Sequence, residues 1–381
     1  MARLLIDVAI SQLLRRLMVR LHQPEVLAYV LAGIALGPSL LGRLPGDPSQ
    51  LLFPEEVRTA LAPLGTLGLV IFAFVIGLEL DLGEIRRRAR SVLGISTGAL
   101  LLPLLTGAGL ALVLYARHGE VDGEQIPRLA FVLFFVTAMA VTAFPVLVSI
   151  VSERGIRRSP LGEVAVSSAA LQDACGWVLL ALALAAMPAA GGADLPTLAG
   201  ATILLAISLV FLVRPLLGTL LARIRLLCRT LMPVTMAFFL PIYFLAPGLQ
   251  LDIGSIGLEG VLETAAIIAV ASFSKLVGGA FPARWAGASW RDAATLGVLL
   301  NTRGLMELVV LTLGYTEGVF DRRLFSEMVV MAIVTTMMTG PLLETLRRRG
   351  VASAGRPAVA GERGWDWEDL PVDDAAVGLA R

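Results

Sequence analysis

Cysteine and histidine are scarce in this sequence, and lysine occurs once. The two cysteines, Cys175 and Cys228, lie in or beside apolar runs. They offer neither a disulfide framework nor zinc-ligand spacing. The two histidines, His22 and His118, fall in predicted loops far apart in the chain, so no histidine-based metal site is expected. No glycine-rich nucleotide fingerprint and no catalytic triad can be picked out, and the composition argues against a soluble enzyme. A nucleic-acid partner is not expected either, and the formal net charge of +1 says little, because the distribution of charge matters more than its sum.

Apolar sequence is abundant instead. Hydrophobic residues make up 57% of the 381, and the mean hydropathy is +0.82. The excess sits in long runs, and a run of about 20 apolar residues spans a bilayer core of about 30 Å as a helix. The period-two alternation of a membrane barrel is absent. The pattern predicts an all-α polytopic membrane protein of about eleven helices. They run roughly over 2–21, 25–43, 61–80, 92–116, 127–152, 161–187, 196–222, 230–248, 260–283, 292–313 and 324–346. The first run carries Asp7, Arg15 and Arg16 and lacks a small-residue cleavage site, so it reads as a transmembrane helix and not as a signal peptide. The polar stretch 350–381 reads as a disordered tail after a membrane domain over 1–349.

Arginine alternates between connections. Odd-numbered connections carry clusters such as Arg86, Arg87, Arg88 and Arg90, or Arg154, Arg157 and Arg158. Even-numbered connections are neutral or acidic, with Glu55, Glu56, Glu120, Asp122 and Glu124. The positive-inside rule then places the N-terminus outside and the C-terminus in the cytoplasm; the membrane expected is the cell (inner) membrane. An internal repeat supports the same layout. Gly77–Ile85 reads GLELDLGEI and Gly248–Ile256 reads GLQLDIGSI, each closing an apolar run at opposite faces. This predicts inverted-topology repeats over about 1–187 and 230–346, joined by a linker helix at 196–222.

Ionisable side chains inside these runs are the functional candidates, because charge at mid-membrane is costly. Asp173 lies midway along the sixth run and Lys275 within the ninth. Lysine, unlike arginine, can give up its proton when buried, and this one reads as a charge partner for Asp173. A purely structural ion pair is the plainer alternative. The fifth and tenth runs look like broken helices. The fifth holds Thr137, Thr142 and Pro145; the tenth holds Asn301, Arg303, Gly304 and Glu307. Breaks free carbonyls and helix ends that can bind an ion. Plainer readings are a proline kink at Pro145 and an i,i+4 pair between Arg303 and Glu307. Glu79 and Asp81 read as a solvated helix end, and Gly33, Gly37 and Gly42 as close-packing positions.

PEVLAYVLAGIALGPSLLG, IGLELDL, TAFPVLVSIV, LQDACGW, KLVGG and NTRGLMELVVLTLG, in that order, resemble the monovalent cation:proton antiporter superfamily. The nearest branch is that of Kef-type potassium systems and plant cation/H+ exchangers. The resemblance implies a sodium/proton-antiporter-like fold with two broken helices that cross, a mobile core moving against a scaffold, and a homodimer. It implies an essential aspartate at Asp173 and the family's intramembrane lysine at Lys275. Three departures stand out. Gln172-Asp173 occupies the place of an Asp-Asp pair, about two scaffold helices have no room between Arg225 and Leu231, and the tail is too short for a nucleotide-binding domain. The expected function is exchange of Na+ or K+ for protons, with both competing for Asp173 and Gln172 and Thr142 assisting. No cofactor is expected beyond the transported ions. A sodium-coupled organic-anion symporter using Arg303, or a non-transporting paralogue, are the alternatives.

Overall fold

A computed structural model describes residues 25–45, 88–121, 123–157, 159–187 and 253–351 without interruption, with shorter stretches within 10–18, 48–71 and 235–251 and single residues at 200 and 204. The first, third, seventh and eighth predicted runs lie mostly outside the described residues. So do Gly77–Ile85 with Glu79 and Asp81, the Arg225–Leu231 junction and the tail beyond 351.

The described chain is helical apart from one small hairpin. In chain order the helices are α1 (Glu25–Leu36), α2 (Pro48–Leu52), α3 (Ala89–His118), α4 (Arg128–Ala140), α5 (Phe144–Glu153), α6 (Pro160–Ala185), α7 (Gly257–Trp285), α8 (Trp290–Leu300), α9 (Leu305–Thr316) and α10 (Arg322–Val351). Strands β1 (Glu120–Val121) and β2 (Glu124–Gln125) pair between α3 and α4 around Gly123, whose φ of 82° is easy only for glycine. Five helical stretches among the described residues are long and apolar enough to cross a membrane: Ala89–His118, Arg128–Ser152, Pro160–Ala185, Gly257–Trp285 and Arg322–Arg348. Their ends fall within a few residues of the predicted runs.

Local chemistry explains several of these ends. Ser159 caps α6 by accepting from the Gly162 N–H, with Pro160 in the first turn. Ser289 caps α8 in the same way through the Asp292 N–H. Asp321 caps α10, its Oδ1 accepting from the Leu324 N–H at 2.6 Å.

Helix α7 packs along α3 and α8, α3 along α4, and α4 along α6. The α3–α7 contact is tight because both sides lack side chains. A Cβ on Gly98 would stand 2.6 Å from the Gly278 carbonyl oxygen. Close backbone approach of this kind takes the place of the hydrophobic drive, which is missing between helices in lipid. The stretch α4–α5 is far more buried than the other four spans and forms the centre of the bundle. Around it, Leu105 and Val113 of α3 and Leu258, Leu262 and Phe273 of α7 are exposed, as lipid-facing positions should be. The expected packing role of Gly33 and Gly37 is seen against the start of the second repeat motif. A Cβ on Gly37 would lie 2.8 Å from the Gly248 carbonyl, and one on Gly248 would lie 2.6 Å from Gly33 Cα.

The described arginine-rich connections share one end of the bundle. There Arg88 pairs with Glu163 at 3.5 Å, Arg154 with Glu344 at 3.3 Å, and Arg291 donates to the Arg347 carbonyl. The opposite end is formed by the finish of α3 and α9 and the start of α4, α7 and α10.

Candidate functional site

Two helices are interrupted where the sequence suggested. Between α4 and α5 the backbone opens at Val141, with φ −71° and ψ 141°, and Pro145 falls in the first turn of α5. Between α8 and α9 the interruption covers Asn301–Gly304. The two breaks touch. Ala143 N–H donates to the Thr302 carbonyl at 3.0 Å. Gly304 lets them meet, because a Cβ there would lie 2.8 Å from Val146 Cγ2 and 3.3 Å from Ala143 Cβ.

A helix that stops inside a membrane leaves carbonyls without partners, and each must be satisfied. At the end of α4 this is done by cations. Arg303 Nη1 donates to the Ala138 carbonyl at 2.7 Å and Nη2 to that of Met139 at 2.8 Å. Lys275 Nζ donates to the Ala140 carbonyl. Lys275 also donates to Thr142 Oγ1 at 2.7 Å and to Gln172 Oε1 at 2.8 Å. The Thr142 hydroxyl has one hydrogen, and two acceptors stand within reach: Gln172 Oε1 at 2.9 Å and the Leu300 carbonyl at 2.8 Å. Arg303 further pairs with Glu307 at 3.3 Å, both side chains being buried. Thr336 of α10 locks the second break by accepting from the Arg303 N–H and donating to the Arg303 carbonyl.

This arrangement corrects the expected charge pair. Lys275 and Asp173 make no hydrogen bond or ion pair; the ammonium is held by Gln172. The reason is helical geometry. Neighbouring residues point about 100° apart around a helix, and α6 buries the face carrying Ala165, Ala169, Gln172, Gly176, Leu180 and Ala183. Gln172 therefore points into the crossing. Asp173 stands half-buried on its flank, and its Oδ1 is closed off from solvent without a hydrogen-bond partner. The freed α4 carbonyls, expected to be open to an ion, are occupied by Lys275 and Arg303.

The other predicted residues separate into two groups. Thr142, Gln172, Lys275, Arg303, Gly304 and Glu307 converge on the crossing. Asn301 is buried there as well, with neither side-chain polar atom partnered. Thr137 does not take part, since its hydroxyl donates back to Leu133 within α4. Thr302 and Thr336 were missed. The signal for the first was its place in NTRG, and for the second the hydroxyl-rich VTTMMTG run of α10.

A second polar cluster lies at the end remote from the arginine-rich connections. His118, placed in a loop by the sequence reading, is instead the last residue of α3 and is buried. Its Nδ1 lies 2.7 Å from Asp321 Oδ2 and its Nε2 3.6 Å from Glu263 Oε2. Arg117 reaches Glu263 Oε1 at 2.6 Å, and Arg323 bridges Glu263 and Glu327. Burial alone would raise the pKa of Asp321. The hydrogen bonds from His118 and the Leu324 N–H, with the nearby positive charge, outweigh it and hold the carboxyl below its ordinary value.

Comparisons with known proteins agree with this architecture. The family described as sodium/hydrogen exchanger, transmembrane, matches residues 7–235 and 229–347. Cation/H(+) antiporter 18 of Arabidopsis thaliana is 30% identical over 90% of this chain and 48% of its own length. The chain thus spans about half the length of such plant relatives. The Na(+)/H(+) antiporter NhaS4 of Synechocystis is also 30% identical, over 90% of this chain and 96% of its own. The solved structure of the sodium proton antiporter MjNhaP1 from Methanocaldococcus jannaschii superposes with a TM-score of 0.54 at 15% identity, covering 92% of this chain and 97% of that one. That likeness concerns the fold.

Proposed function

The chain belongs to the sodium/hydrogen exchanger transmembrane family, and on that premise we propose that this multi-pass membrane protein exchanges Na+ or K+ for protons, with both competing for Asp173. We place it in the cell (inner) membrane as a homodimer. One observation carries the reading: the unpartnered Asp173 Oδ1 beside the crossing, where Lys275 already holds Thr142 and Gln172. An unpaired carboxylate oxygen in a membrane is costly and marks a site for a proton or a cation.

Lys275 sets the terms of the exchange. Its ammonium rests on three oxygens, from Ala140, Thr142 and Gln172. That is the hard-oxygen set an alkali cation would seek. The ammonium thus stands in for the transported ion. A cation arriving at Asp173 gains Gln172 and Thr142 as further ligands when Lys275 withdraws. With one carboxylate and a lysine that stays charged, exchange is one for one and electroneutral. Loss of the lysine proton in the cycle would make it electrogenic. Arg303 is committed to two carbonyls and Glu307, which disfavours the organic-anion symporter that would need this cation free.

Cation-driven proton movement in proteoliposomes, read with an internal pH dye, tests the proposal. Na+ and K+ are applied separately to wild type and Asp173→Asn. Exchange in wild type and none in the variant is the expected result. Exchange that survives in the variant removes Asp173 as the shared site, and inactive wild type of correct fold removes antiport.

A further inference from the structure

The cluster at the far end of the bundle has no part in the exchange reaction derived above, and its chemistry is of another kind. His118, Glu263 and Glu327 each bring one ligand atom to within 4.8 Å of the others. They come from three helices, α3, α7 and α10. Two of these atoms lack hydrogen bonds although their side chains are buried: His118 Nε2 and Glu327 Oε2. Unsatisfied buried acceptors are rare in folded proteins and need a partner.

The surroundings are built for one. Asp321 takes the Nδ1–H of His118, with its other oxygen held by the Leu324 N–H. In the neutral tautomer with its proton on Nδ1, His118 leaves the Nε2 lone pair free on the side of Glu263. A carboxylate that orients a histidine from behind is the usual outer support of a metal-bound imidazole. Gly260 makes room, because a Cβ there would lie 2.7 Å from Glu327 Oε1 and 3.1 Å from Arg323 Nε. Charge points the same way. Glu263, Glu327 and Asp321 supply three negative charges against the two of Arg117 and Arg323, leaving one uncompensated when His118 is neutral. Arg117 is mostly exposed and can release Glu263 at little cost.

We propose that His118, Glu263 and Glu327 form a binding site for a divalent transition-metal ion of the zinc class, tying α3, α7 and α10 together at the end remote from the arginine-rich connections. One imidazole nitrogen and two carboxylates suit such an ion better than Mg2+ or Ca2+, which prefer oxygen alone. Asp321 acts as a positioning residue and does not touch the ion.

The test uses the purified full-length chain in detergent, stripped of metal, with Zn2+ as the probe. Bound metal is counted after equilibrium dialysis, and the thermal midpoint is followed against Zn2+ and Mg2+. One Zn2+ per chain and a raised midpoint are expected, with no response to Mg2+. Binding should fall at least about tenfold in His118→Gln and Glu327→Gln, and about 10–100-fold is typical for loss of an outer partner such as in Asp321→Asn. Replacing both cysteines by serine should leave binding unchanged. Should the variants misfold, X-ray absorption on the wild type decides. One nitrogen and oxygens at about 2.0–2.2 Å support the site, and sulfur ligation overturns it. Folded wild type that takes up no Zn2+, or full binding in folded His118→Gln and Glu327→Gln, also overturns it and leaves the cluster as an ion-pair network.

Discussion

At the first break, the last three carbonyls of α4 face the ammonium of Lys275 and the guanidinium of Arg303; at the second, the last carbonyls of α8 face neutral donors. Val298 takes the Asn301 N–H, Leu299 the Thr302 N–H and hydroxyl, and Leu300 lies within reach of the Thr142 hydroxyl. The two interruptions solve the same backbone problem with different chemistry. A helix C-terminus carries roughly half a negative charge. At α4 that charge is compensated by full positive charges, and at α8 it is not. The crossing is therefore electrically lopsided, and buried, unpartnered Asn301 lies on the side left negative. The asymmetry teaches that a cation is repelled from the α4 carbonyls and favoured beside α6 and α8.

Removing the guanidinium should break this contrast most sharply. Arg303→Met leaves two carbonyls bare and Glu307 buried without its partner, so a loss of about 3–5 kcal/mol in unfolding free energy is expected from titration with denaturing detergent. Gly304→Ala should cost about 1–3 kcal/mol by forcing Val146 and Ala143 apart. Circular dichroism melts would detect it, and an unchanged melt would mean that the breaks are not in close contact. Thr302→Val removes one neutral bond at the second break and should cost only about 1 kcal/mol. If it cost as much as Arg303→Met, the two breaks would be energetically alike and the lopsided picture would fail.

The smallest effect is a pH dependence outside the crossing. Asp321 has a folded pKa below its ordinary value of 3.8. A depressed carboxyl binds fewer protons folded than unfolded, so its contribution is complete above the ordinary value and is lost as pH falls through the folded one. The stability gap between wild type and Asp321→Asn should close as pH falls below about 4. A gap that instead widens with acid would mean that Asp321 is not held ionised by His118.

Much of this was legible in the sequence, for identifiable reasons. Apolar runs mark helix ends because lipid tolerates nothing else, and α3, α6, α7 and α10 end close to prediction. Thr142-Ala143-Phe144-Pro145 and Asn301-Thr302-Arg303-Gly304 announce breaks because proline and glycine cannot sustain a helix there. The partner of Lys275 was not legible. Gln172 and Asp173 are adjacent in sequence, and only the packing of α6 decides which of them turns inward. The His118 cluster was hidden for a related cause. Its members sit at positions 118, 263 and 327, each plausible by itself as a polar helix end, and only the bundle gathers them.

Helix α10 also has a mechanical side. It carries Glu327 at one end, Thr336 against the second break, and Glu344 against Arg154 at the other end. From Glu327 to Glu344 is about 26 Å at 1.5 Å per residue. It is thus a pushrod with three attachments along its length. Displacing the second break pulls on Thr336, and the rod carries that displacement toward both faces of the bundle. Its soft joint is Pro341, between the last two attachments, so the arginine-rich end can lag behind while the His118 end follows at once.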